Sequence, residues 1–225
     1  MPRTLDAPSA HRTGPSLPGP APRATRILLA GAVTAGPLFL AAGLLQALTR
    51  DGFDVTRNAI SQLALGDAGW IQTANFLLTA ALLAAGATGL RRALRGGPGA
   101  IRGPALVGVF AASFLAAAVF PADPGAGFPA GTPETTHLSA HGAAHMISGM
   151  VGYLALSAAF LVLARPLAAR GHRGWATASR LAPFGVLAGF AGSSVTVLAF
   201  TAGAGLGLAW LAALTARLLM DTANS

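Results

Sequence analysis

His137, His141 and His145 recur at intervals of four residues, so on an α-helix they share one face with slow drift. Two histidines one turn apart can ligate a single metal ion. A third ligand beside them would leave a fourth position open for water, the pattern of a catalytic zinc site. Asp123, held between Pro121 and Pro124, is the carboxylate best placed to be that ligand. His137 and His145 would stand about 12 Å apart along a helix axis at 1.5 Å per residue, so the three histidines do not serve one ion together. The candidate metal ligands are therefore His141, His145 and Asp123, with zinc as the candidate cofactor. In such a centre Asp123 ligates the ion or acts as base, Ser61 orients substrate, and the metal lowers the pKa of its bound water. The motif is not that of an HExxH metalloprotease, since Leu138 and Gly142 occupy the glutamate position of the two pairs. The competing reading is structural: histidines at a helix entrance satisfy loop carbonyls, and Asp123 locks two loops together. No cofactor is established by these residues alone.

The elements that must position these side chains belong to a bilayer. Only 10% of the 225 residues are charged against 53% hydrophobic, with no cysteine. A soluble domain carries about 25% charged residues, a disordered chain is poorer in apolar residues, and a disulfide scaffold needs cysteines. Spanning the hydrocarbon core takes about 20 predominantly apolar residues. Runs at 27–49, 70–90, 103–122 and 142–164 qualify, and the stretch 181–216 is long enough for two spans. The small-residue cluster Ala202–Gly207 marks the expected turn, giving spans at 181–201 and 205–220. The expected fold is all-α, a polytopic bundle of six transmembrane helices over residues 26–221. Residues 1–25, with six prolines, read as a disordered cytoplasmic tail. The uncharged run 27–49 exceeds the 7–15-residue core of a cleaved signal and reads as a retained first helix.

All fifteen basic residues are arginine. With the N-terminus inside, thirteen of them fall in the tail, the 91–102 and 165–180 loops and the C-terminus, while only Arg50 and Arg57 lie outside. The positive-inside rule then puts both termini in the cytoplasm of a plasma-membrane protein. Five of the seven acids gather on the outer side, beside the histidines. The partner implied is the lipid bilayer; no soluble basic face exists for nucleic acid, and no protein partner is legible. In the outer loop 50–70, Asn58 is placed to cap a short helix carrying Ile60, Leu63 and Ala64, which lies in the interface or folds back over the bundle. Gly185 and Gly189 form a GxxxG spacing, better suited to packing within the chain than to dimerisation.

The series Asn58-Ala-Ile-Ser-Gln-Leu, Gly66-Asp-Ala-Gly-Trp70, Phe120-Pro-Ala-Asp123 and His141-Gly-Ala-Ala-His145 resembles the uncharacterised bacterial membrane family called domain of unknown function 998 (DUF998), chiefly over residues 27–165. The resemblance implies a six-helix integral membrane protein and brings no activity with it. Two functions stand open: a structural or partner- or lipid-binding protein whose outward Ser61, Asp123, His141 and His145 form a clamp, and a zinc-dependent hydrolase acting on a lipid-like substrate at the outer leaflet.

Overall fold

The computed structural model describes residues 23–135 and 137–223; of the tail expected to be disordered over 1–25, residues 1–22 lie outside the described residues, while Arg23, Ala24 and Thr25 form the start of the first helix. Six α-helices follow one another: α1 Arg23–Thr49, α2 Gly69–Ala93, α3 Arg102–Val119, α4 Ala140–Ala169, α5 Arg173–Gly192 and α6 Val197–Ala223. A short 3-10 helix, Ile60–Ala64, interrupts the α1–α2 connection. Each helix packs on its chain neighbour, and α6 closes back on α1, so the six form a ring. No regular strand occurs among the described residues.

Five of the six (α1, α2, α3, α4 and α6) are long and apolar enough to cross a membrane, as in a multi-pass membrane protein. Helix α5 falls short of that composition, carrying Arg173 and Arg180 in its first half. The core is built from one apolar stripe per helix: Leu29, Leu83, Phe110, Leu156, Phe160, Leu163 and Leu208 are fully buried. Leu154, Phe184 and Leu198 point outward, which suits helices whose outer faces meet hydrocarbon.

The last two helices differ from expectation. The expected turn at Ala202–Gly207 is helical, and α6 runs through it without a break. The chain turns instead at Ser193–Thr196, so the spans expected at 181–201 and 205–220 are replaced by α5 and a full-length α6. The hydroxyls of Ser193 and Ser194 donate to Phe190 O and Ala191 O, closing the end of α5. The small residues of α6 serve packing: a Cβ on Gly189 would lie 2.6 Å from both Ala199 O and Gly203 Cα. Backbones so close need glycine on both sides. In soluble proteins clustered glycines break helices; here close packing outweighs propensity. Gly185, expected to pack within the chain, meets Leu206 of α6.

The two long loops meet at one end of the ring. Leu63, Phe128 and Ala47 form a small buried cluster, with Phe53 and Ile60 against it. The expected short helix folds back over the bundle as the 3-10 helix, but Asn58 does not cap it, and Ala59 holds that position. Asn58 is buried and staples the loops: its Nδ2 donates to Gly125 O at 3.3 Å and to Ala126 O at 3.4 Å, while its Oδ1 accepts from Asp54 N. Gln62 adds bonds to Asp123 O and Gly125 O. Arg50 donates to Leu63 O at 3.2 Å and Leu65 O at 2.7 Å, and lies over the Phe128 ring. Arg57 pairs with Glu134 across the same two loops. At the opposite end, His172 Nε2 lies 3.0 Å from Asp221 Oδ2, and Arg217 donates to Asp221 Oδ1 at 2.9 Å, tying the α4–α5 turn to the end of α6.

Candidate functional site

The loop end carries all the side chains singled out by spacing, but they separate into two groups. Asp123, just beyond the end of α3, faces the start of α4. Its Oδ2 accepts from Ser139 N at 2.8 Å and its Oδ1 from Ser139 Oγ at 2.5 Å. Ser139 is also the N-cap of α4, its Oγ accepting from Gly142 N at 3.0 Å. A carboxylate at a helix N-terminus is favoured by the helix dipole and the unpaired amides there. The Ser139 hydroxyl and then its backbone amide hold the Asp123 carboxyl below its ordinary pKa. Any side chain at position 142 would overlap the carboxylate, so Gly142 is what lets Asp123 dock.

The histidines do not converge with Asp123. His141 is exposed and its ring meets Phe120 edge-on. His137 is exposed before the helix begins. His145 turns inward: its Nδ1 is 2.9 Å from Phe120 O, and its ring stands edge-on to Phe76 with centroids 6.3 Å apart. No hydrogen bond joins Asp123 to either histidine, and among the described residues no three His, Asp or Glu side chains are grouped to hold a metal ion. The sequence-derived set His141, His145 and Asp123 is thus adjacent along the fold without sharing a coordination point.

What the structure does bring together is His145 and Ser61. Both line a pocket beneath the 3-10 helix, with a cavity volume of about 90 Å³, bounded by α1, α2, α3, α4 and α6. Its walls are aromatic and aliphatic, chiefly Phe39, Phe76, Phe114 and Phe200, with Ile60 and Leu208. Phe114 meets Phe39 and Phe110 edge-on at 5.1 Å, so this wall is a packed aromatic cluster. Gly149 and Gly205 face the space, and a Cβ on Gly149 would touch nothing within 4 Å.

Sequence reasoning missed these walls, because phenylalanines scattered over four helices carry no spacing signal. It also missed a buried polar group beside the pocket. Gln46 Nε2 donates to Gln72 Oε1 at 2.8 Å, and Asn75 Nδ2 donates to the same oxygen at 3.1 Å and to Phe39 O at 3.2 Å. These three amides interrupt otherwise apolar runs, a visible signal, since polar side chains within a membrane segment turn toward the protein interior. Their bonds tie α1 to α2 and hold the Phe39 turn against the pocket.

No curated protein and no solved structure matches this chain. The motifs quoted from Asn58 to His145 are the ones that staple the loops, dock Asp123 and roof the pocket. The sequence model of the family described as "Protein of unknown function (DUF998)" matches residues 33–217, from α1 into the last turns of α6. The chain belongs to that family.

Proposed function

We propose that the chain is a six-span plasma-membrane protein, both termini cytoplasmic, that binds a lipid-like molecule in the pocket beneath its outer loops. The six-span topology places α5 in the bilayer through its apolar second half, with Arg173 and Arg180 at the inner interface. The clustering of arginines at the end opposite the 3-10 helix supports this orientation. The observation that carries the binding reading is the pocket itself: a cavity of about 90 Å³ walled by phenylalanines, with polar side chains few and local. In this reading the Asp123–Ser139 contact is a clamp. It fixes the 120–139 loop to α4 and so holds the roof over the site.

Native mass spectrometry of the protein released from detergent micelles tests the reading. A lipid-like molecule retained by the wild type should be lost in Gly149→Leu, whose new side chain grows into space that is empty. Equal retention by both proteins overturns it.

A further inference from the structure

The pocket's hydrogen-bonding groups select among apolar ligands. Taking lipid-like binding as given, we infer that the site takes an uncharged amphiphile with a hydroxyl headgroup, whose O–H donates to His145 Nε2. Five polar side chains line the space: Ser61, Ser113, His145, Tyr153 and Thr201. Two are committed elsewhere. The Ser113 hydroxyl donates to Phe110 O at 2.7 Å, and the Tyr153 hydroxyl donates to Ala204 O at 3.4 Å.

His145 is committed at one nitrogen only. Phe120 O is a carbonyl and can only accept, so the proton sits on Nδ1 and the neutral ring presents Nε2 as an acceptor. A neutral ring is what this setting favours. Its neighbours are aromatic, a charge within the span is expensive without a partner, and the Asp123 carboxylate is bonded to Ser139. The Ser61 hydroxyl has no hydrogen bond within the chain among the described residues, and can both donate and accept.

These groups suit an alcohol. Its O–H donates to Nε2 and its oxygen can accept from a hydroxyl of the wall. A carboxylate has no proton for Nε2 and meets no cation: Arg50 is held on Leu63 O and Leu65 O, and Arg57 on Glu134. An ammonium would be buried beside phenylalanines, and the Asp123 carboxylate near His145 does not line the pocket and is already bonded to Ser139; burying that charge costs far more than a missing hydrogen bond. A plain hydrocarbon fills the walls but leaves Nε2 and Ser61 unpaired.

The test compares four probes with one tail (dodecanol, dodecanoate, dodecylammonium and dodecane) by native mass spectrometry of the full chain at neutral pH. Dodecanol should be retained best. His145→Phe, which keeps ring volume and removes both nitrogens, should lower dodecanol retention about 2- to 10-fold, the value of one hydrogen bond, while leaving dodecane unchanged. Ser61→Ala leaves the His145 ring in place and should lower dodecanol retention too, so the inference stays testable if His145→Phe folds poorly. Dodecanoate retained as well as dodecanol would mean a cationic His145 and overturns the inference, while binding of tails as such survives. Dodecanol retention unchanged in Ser61→Ala and in a folded His145→Phe overturns it equally. Retention of none of the four probes, or indifference of all to Gly149→Leu, overturns the pocket reading and this inference with it.

Discussion

Two glycines one helix apart should answer the same substitution with opposite signs. Gly189 faces α6, where an added Cβ would lie 2.6 Å from Ala199 O and from Gly203 Cα, about 0.8 Å inside the ordinary contact distance that begins at 3.4 Å. Both obstacles are backbone atoms, so no side chain can rotate away. The α5–α6 pair must separate, and overpacking of this kind costs about 1–3 kcal/mol. At Gly149 the Cβ meets nothing within 4 Å. Replacing glycine by alanine inside a helix gains up to about 1 kcal/mol of propensity, and that gain is common to both sites. The difference between the variants therefore isolates the packing term: Gly189→Ala should be less stable than Gly149→Ala by about 1–3 kcal/mol. Unfolding in mixed micelles titrated with dodecyl sulfate, followed by circular dichroism, measures both. Equal stabilities would refute a close α5–α6 backbone contact, and with it the continuous α6 that replaces the expected turn at Ala202–Gly207.

Other outcomes follow from the loop end. Because Ser139 holds the Asp123 carboxyl below its ordinary pKa, the clamp is complete above the ordinary carboxylate range and is lost as pH falls below it. The protection factor of the Ser139 amide should persist to acid pH in the wild type and be lost in Asp123→Ala; protection lost near pH 6 would instead point to a histidine. Phe128 is buried at the centre of the loop cluster, and Phe128→Ala should destabilise the protein by about 3–5 kcal/mol; a loss below about 1 kcal/mol would mean that this cluster does not hold the loops. The absence of cysteine makes topology directly measurable. A membrane-impermeant maleimide should label Thr135→Cys in intact cells and Pro98→Cys only after lysis, and the reverse pattern would invert the proposed orientation. For the zinc reading, elemental analysis of the purified protein decides: stoichiometric zinc that disappears in the His141→Ala, His145→Ala double variant supports it, and no zinc in the wild type refutes it.

Composition and the spacing of uncharged runs determined the membrane class, the all-helical fold and the position of four helices, because hydrocarbon thickness sets a length that can be counted along the chain. The motifs from Asn58 to His145 were enough to place the family. A boundary within an unbroken apolar run is different, because small residues mean a turn in water and a close helix contact in lipid. Only the packing of Gly189 on Gly203 settled that the chain turns at Ser193–Thr196. The site divides in the same way. Asp123, Ser61 and the histidines were legible as a polar group at one end, since charge is so scarce elsewhere. Their partners were not, because hydrogen bonds form between atoms brought close by the fold. Asp123 reaches Ser139 across 16 residues, and His145 reaches Phe120 across 25. The pocket belongs wholly to the tertiary structure: its walls come from five helices, and no spacing along one chain segment encodes a space between several.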